Sequence, residues 1–140
     1  MRRVLLPVDG SEHAYRAAQF VADFVNQHGA LEIHVVNVEP IPLEWQTHGM
    51  ETAAIKAHLA ARAHLAMHPV LHFFNESGIA CRDHVRQGEV AETVVALADE
   101  LGCDAIVMGT RGLGAISGLA LGSATRKVLH LSRLPVVCIK

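Results

Sequence analysis

The chain has 140 residues, 51% of them apolar and 19% charged, with a net charge of −2 when its ten histidines are neutral. That is one domain's worth of chain with enough apolar content to bury a core, which excludes a disordered protein. The near-balanced charge and scarce aromatics (4%) exclude a basic or base-stacking nucleic-acid surface, and no apolar run approaches the roughly 18 residues of a membrane span.

The start, MRRVLLPVDG, meets Pro7 and Asp9 too soon to be a signal peptide. Residues 3–8 form an apolar run of strand length, closed by Asp9-Gly10. Ser11 is an N-cap for a helix whose Ala14, Ala17, Ala18, Val21, Phe24 and Val25 recur at helical spacing up to Gly29. Residues 31–38 (LEIHVVNV) are rich in β-branched side chains and read as a second strand, after which Pro40 and Pro42 open a loop. From about residue 51 to 77 the chain is alanine-rich and helical, with a kink or break expected at Pro69. Residues 80–86 are a third strand. Gly88 precedes an amphipathic helix (Val90, Val94, Leu97, Ala98, Leu101) that ends at Gly102. Residues 104–108 are a fourth strand, 121–131 a last helix and 135–139 a last strand. Strict β-α alternation over nearly continuous apolar strands implies one α/β domain, residues 1–140, a parallel sheet with helices on both faces.

Between the fourth strand and the last helix lies GTRGLGAISGLALGS, residues 109–123, which holds five of the eleven glycines. Each glycine costs roughly 0.5–1 kcal/mol against alanine in ordered backbone. The segment is therefore either a slack connector or a place where something approaches the main chain closely. In a doubly wound sheet, ligands bind beyond the carboxyl ends of the strands where the winding reverses. If strands one and four are neighbours, Asp9 and the glycine segment face each other across that crevice. The glycines would let backbone N–H groups turn toward an anion. The run Gly122-Ser123-Ala124-Thr125 opens a helix whose positive end favours negative charge, and Ser123 is expected to cap it or to meet a phosphate oxygen. Arg111 could add a contact. Arg126 and Lys127, unfavourable in a first turn, would be favoured by a bound polyphosphate or are simply solvated. A carboxylate near a triphosphate calls for an intervening cation, so Asp9 is the candidate metal ligand, for Mg²⁺ or Mn²⁺.

Familiar nucleotide fingerprints fail. No glycine is followed by lysine, which excludes a Walker loop, and G-x-G-x-x-G begins at Gly112-Leu113-Gly114 but meets Ser117 where it needs glycine. What does match is Gly109-x2-Gly112-x9-Gly122-Ser123. With VLLPVDGSEHA at the start and LSRLPVVCIK at the end, the chain resembles the ATP-binding branch of the universal stress proteins over nearly all its length. The resemblance implies an adenine nucleotide α-hydrolase-like fold with strand order 3-2-1-4-5. It implies ATP held by Gly109, Gly112, Gly122 and the Ser123 hydroxyl, with Pro7, Val8 and Asp9 at the ribose and a divalent metal. Val35 would read the adenine edge through its backbone, and Met108 would line the same pocket. It also implies a homodimer through antiparallel pairing of Val136–Ile139.

Duller readings stand beside these. Asp9-Gly10-Ser11 is also an ordinary turn and helix cap. His64, His68 and His72, at i, i+4 and i+8, are a potential zinc-binding row or a solvated stripe. His34 reads as structural, and Cys81, Cys103 and Cys138, without a C-x-x-C, read as reduced core thiols in a cytoplasmic setting. No catalytic residue is identified, since the one obvious general base, Asp9, is committed to metal or ribose, which leaves slow ATP hydrolysis at most. An enzyme of the related fold would carry H-x-G-H or S-G-G-x-D-S near the first strand, and neither occurs. A nucleotide-free dimeric interaction or chaperone-like protein stays open as an alternative, with its downstream partner unspecified.

Overall fold

The computed structural model describes residues 1–112 and 121–140, the side chain of Trp45 excepted. The middle of the glycine segment, with Gly114, Ser117 and Gly118, lies outside the described residues. In chain order the elements are β1 (Arg3–Pro7), α1 (Glu12–His28), β2 (Glu32–Glu39), α2 (Glu44–Thr47), α3 (Thr52–Glu76), β3 (Arg82–Gln87), α4 (Val90–Glu100), β4 (Ala105–Gly109), α5 (Ser123–Leu131) and β5 (Val136–Ile139). The five strands pair in parallel in the order β3-β2-β1-β4-β5. This is the expected doubly wound α/β sandwich, and β1 and β4 are neighbours, with Val4 opposite Ala105 and Leu5 opposite Ile106.

Period-two alternation splits the apolar strand residues between two cores. Val4, Leu6, Val8, Ile33, Val35 and Val107 pack with α1 and the second half of α3, through Ala17, Val21, Met67 and Phe74. Leu5, Val36, Ile106 and Met108 pack with α4 and α5, through Ala91, Val94, Leu97 and Val128. Because both faces are covered, β1 and β4 read as nearly continuous apolar runs, whereas β2 interleaves Glu32, His34, Asn37 and Glu39 with its apolar residues. The edge strand β3 (RDHVRQ) departs from that pattern and is largely exposed. The chain winds outward through β2 and β3 on one side of β1, then returns to place β4 and β5 on the other. The reversal therefore falls between β1 and β4.

The local signals explain most boundaries. Ser11 caps α1, its hydroxyl accepting from the Ala14 N–H at 3.2 Å, and the Gly29 N–H closes the other end on the Val25 carbonyl at 2.8 Å. Two expectations are corrected. Helix α3 runs through Pro69 without a break over 25 residues. The proline leaves the Leu65 carbonyl without its usual amide, and Leu65 is 73% exposed, on the wet side where water can serve that oxygen. Buried Ala63, Met67, Val70 and Phe74 hold the opposite side to the sheet and outweigh the proline's cost. The loop after Pro42 contains the single-turn helix α2, for which the sequence carried no periodic signal.

One polar chain crosses the sheet. His34, 3% exposed on β2, meets Glu32 Oε1 through Nε2 at 2.9 Å and His84 Nε2 through Nδ1 at 2.8 Å, and Glu32 also ion-pairs with Arg3. His34 is thus structural, as its place within a strand suggested. The cysteines are all free and wholly or partly buried, and burial pushes the Cys103 thiol up to about 11. Burial also raises Cys81 and Cys138, so the thiolate that reacts or binds metal is disfavoured at each.

Candidate functional site

At the carboxyl end of β1 the main chain is pinned by β2. The Val8 N–H donates to the Val36 carbonyl at 2.8 Å, and the Val8 carbonyl accepts from Asn37 Nδ2 at 2.9 Å. Asp9 Oδ1 then accepts the Ser11 N–H at 2.9 Å, a tight Asx turn that aims the chain into α1. Asp9-Gly10-Ser11 is therefore a turn and helix cap, and the same carboxylate forms part of a cavity wall.

At the end of β4 three hydrogen bonds fasten the two ends of the glycine segment. The Thr110 N–H donates to the Ile139 carbonyl at 2.7 Å, and the Gly122 N–H to the Thr110 carbonyl at 2.7 Å. Buried Thr125 donates its hydroxyl to the Gly109 carbonyl at 2.9 Å. Thr110 Oγ1 also lies 3.3 Å from His13 Nδ1 on α1. These contacts make the described ends of the segment a fastened structure rather than a slack connector.

The motif glycines differ in what each makes room for. A Cβ on Gly109 would lie 2.7 Å from the backbone carbon of His13 and 2.9 Å from the Ala14 nitrogen, so β4 abuts the first turn of α1. A Cβ on Gly112 would lie 2.4 Å from Asp9 Oδ2, so the carboxylate rests against bare backbone. One on Gly122 would meet Arg111 Cα at 3.4 Å, ordinary contact. Asp9 and the glycine segment do face each other, as the neighbouring of β1 and β4 requires.

Helix α5 corrects one expectation. Its N-cap is Gly122, not Ser123, and no side chain caps it. Ser123 is the first helical residue and is exposed. Gly122 has no side chain to accept the first-turn N–H groups of α5, and a helix start without a capping side chain is a ready anion site.

These parts enclose a cavity of about 290 Å³, at the lower end of the roughly 300–1,000 Å³ of small-molecule pockets. Its polar end is built from Asp9, Ser11, Arg111, Gly112 and the start of α5 from Gly122 to Thr125. Its apolar end is built from Val36 and Val38 on β2, Val90 and Val94 on α4, and Met108 on β4. Pro7, Val8, Asp9, Met108, Gly109, Arg111, Gly112, Gly122, Ser123 and Ala124 are thus brought together. Val35 is not among the lining residues, its side chain being fully buried in the core against α1 and α3, which leaves the expected role of its backbone untested; the neighbouring Val36 lines the cavity. Of the lining residues missed in sequence, Ser11 and Thr125 read there as helix-start residues, while Val36, Val38, Val90 and Val94 are aliphatic positions indistinguishable from core. Strand parity finds Val36 and Val38 once the register sets Pro7 beside Val36. Arg126 and Lys127 are exposed and do not line the cavity, and Lys127 pairs with Glu89 at 3.2 Å. That pair and the Glu92 N–H hold Glu89, the N-cap of α4, with its carboxyl below the usual range, the N–H contributing most.

A parallel sheet with a crevice at its reversal point, lined by aliphatic side chains, main-chain groups and a carboxylate, defines a doubly wound α/β domain with a candidate small-molecule site. The sequence model of the universal stress protein family matches residues 1–140, and the chain belongs to that family. It is 34% identical to universal stress protein Sll1654 of Synechocystis over 140 residues, 99% of this chain and 85% of that one. The solved structure of hypothetical protein MJ0577, from Methanocaldococcus jannaschii, superposes with a TM-score of 0.83 at 28% identity, covering 99% of this chain and 95% of that one. The universal stress protein of Archaeoglobus fulgidus, solved in complex with dAMP, superposes with a TM-score of 0.60 at 25% identity over 100% and 98% of the two chains.

Proposed function

We propose that the crevice binds an adenine nucleotide, ATP together with Mg²⁺ or Mn²⁺, and that the protein works as a dimeric, nucleotide-dependent stress-response module. The observation that carries this reading is the meeting of Asp9 with bare Gly112 beside the uncapped start of α5. A phosphate chain needs main-chain donors and a close backbone approach, and both lie at one end of the cavity. The apolar end, between Val36, Val38, Val94 and Met108, suits the face of a base. The complex of the Archaeoglobus relative with dAMP supports the choice of an adenine nucleotide.

A divalent metal fits Asp9. Its carboxylate is a hard oxygen donor at the anion-binding end, the ligand type Mg²⁺ takes alongside phosphate oxygens. Among the described residues no three carboxylates, histidines or cysteines converge on one point, so the metal would arrive with the phosphates rather than precede them. Asp9 would hold it, and the metal would offset repulsion between carboxylate and phosphate. Nothing else in the described wall offers a general base, so hydrolysis, if any, is slow.

The dimer would form through β5. Among the described residues β5 pairs with β4 alone, and the four residues Val136–Ile139 present a short apolar edge of the kind that pairs with a second copy. Free cysteines whose burial disfavours the thiolate fit a cytoplasmic setting. Among the described residues no helix is long and apolar enough to cross a membrane.

The test is calorimetry on nucleotide-stripped protein with ATP and MgCl₂, paired with sedimentation. Saturable uptake by a dimer is the expected result. Absence of uptake at ~1 mM ATP with magnesium present would overturn the nucleotide reading. A dimer that takes up no nucleotide would instead favour the interaction or chaperone-like alternative.

A further inference from the structure

On α3, well away from the crevice, His64, His68 and His72 project in one row. Their ring centroids are 5.5 Å apart for His64 and His68 and 5.8 Å for His68 and His72, with planes tilted by 33° and 31°. All three are exposed, and the helix turns the opposite side, Ala63, Met67, Val70 and Phe74, into the core. The backbone that carries the row is therefore held by packing, and the unbroken helix through Pro69 is what keeps the i, i+4 spacing intact. Glu76, four residues beyond His72, prolongs the row with a carboxylate. Nothing in the crevice uses any of these side chains.

We propose that this row is a transition-metal site, in which His68 and one of its two neighbours chelate a single borderline-soft divalent ion such as Zn²⁺ or Cu²⁺. Two imidazoles at i and i+4 on one helix face are a recurring zinc pair. With metal–nitrogen distances of about 2.0–2.1 Å, two rings sharing one ion have centroids roughly 5 Å apart, so a small side-chain rotation from the observed spacing closes the chelate. Imidazole ligands select Zn²⁺, Cu²⁺ and Ni²⁺ over Mg²⁺, which separates this site chemically from the oxygen-ligand site at Asp9. Among the described residues no three metal-binding side chains converge, so the protein supplies two nitrogens and water fills the other positions. Since both pairs share His68, the row takes one ion and not two. An open coordination sphere on an exposed helix is suited to accepting a further ligand from outside the chain.

The test is calorimetric titration of the full, tag-free and metal-stripped chain with ZnCl₂ in the absence of nucleotide. One ion per chain is expected. His68→Gln, which breaks both pairs, is expected to weaken binding at least tenfold. His64→Gln, which leaves the His68–His72 pair, should weaken it only severalfold. His58→Gln, an exposed histidine outside the row, should leave it unchanged. All three are surface changes, and circular dichroism checks that each variant folds. Cu²⁺ electron paramagnetic resonance should show nitrogen hyperfine structure that His68→Gln reduces. No saturable uptake at ~1 mM Zn²⁺, or binding that His68→Gln leaves intact, would overturn the proposal.

Discussion

Two glycines of one motif should fail in different ways when each is replaced by alanine. At Gly109 the added carbon would lie 2.7 Å from the His13 backbone carbon and 2.9 Å from the Ala14 nitrogen. Those atoms belong to the first turn of α1, fixed by the Ser11 cap and by buried Ala14 and Ala17, so neither side can give locally. Overpacking against backbone costs about 1–3 kcal/mol, more than the few tenths alanine recovers through lower chain entropy in the unfolded state. At about 2.1 cal/mol/K per residue, a 140-residue chain has an unfolding entropy of about 0.29 kcal/mol/K, and the cost becomes a fall in Tm of about 3–10 °C. At Gly112 the nearest atom is instead Asp9 Oδ2, at 2.4 Å, the movable end of a side chain. Gly112→Ala should shift Tm little but displace the carboxylate and weaken nucleotide–magnesium binding. Calorimetric melting of apo protein and titration with Mg·ATP measure the two effects. If Gly109→Ala melts within a degree of the parent, or Gly112→Ala is the more destabilised, the steric argument is wrong.

Asp9→Ala should weaken ATP binding mainly when Mg²⁺ is present, and equal losses with and without metal would count against a metal-holding role. Thr125→Val removes the hydroxyl that donates to the buried Gly109 carbonyl at 2.9 Å and keeps the side chain's shape. The unpaired carbonyl should cost about 1–3 kcal/mol of stability by denaturant titration. Stability should also decline in mild acid. His84 is held below its ordinary 6.5, first by burial and then by His34, so the folded state resists its protonation. Glu32 is held below its ordinary 4.5, first by its hydrogen bond to His34 and then by Arg3. A depressed histidine is penalised as pH falls below its unfolded value, and a depressed carboxylate loses its contribution as pH falls through its folded value. Denaturant midpoints should therefore drop from about pH 6.5 downward and continue to drop below pH 4.5, and His84→Gln should flatten the upper part of that slope.

The alternation of strand and helix, the parallel sheet and the two-faced core were legible in the chain because they rest on local periodicity and turn chemistry. Ser11 as a cap, Gly29 as a stop, the apolar runs of β1 and β4 and the β-branched residues of β2 each state their role within a few residues. The motif spacing from Gly109 to Ser123 marked the polar end of the crevice for the same reason: close backbone approach demands glycine, and glycine is visible. Pro69 shows the limit of such local signals, since a proline penalty confined to one exposed turn is overridden by packing on the far side of the helix. Ser123 shows it again: hydroxyl chemistry suggested a cap, while the tie between Gly122 and Thr110 moved the helix start by one residue. Only the tertiary structure decided that Val36 and not Val35 faces the cavity, because a one-residue change of parity turns a strand side chain to the opposite core. It alone set Gly112 against Asp9 and His84 against His34, since those contacts join residues far apart in the chain, and a linear pattern does not encode the register of distant strands.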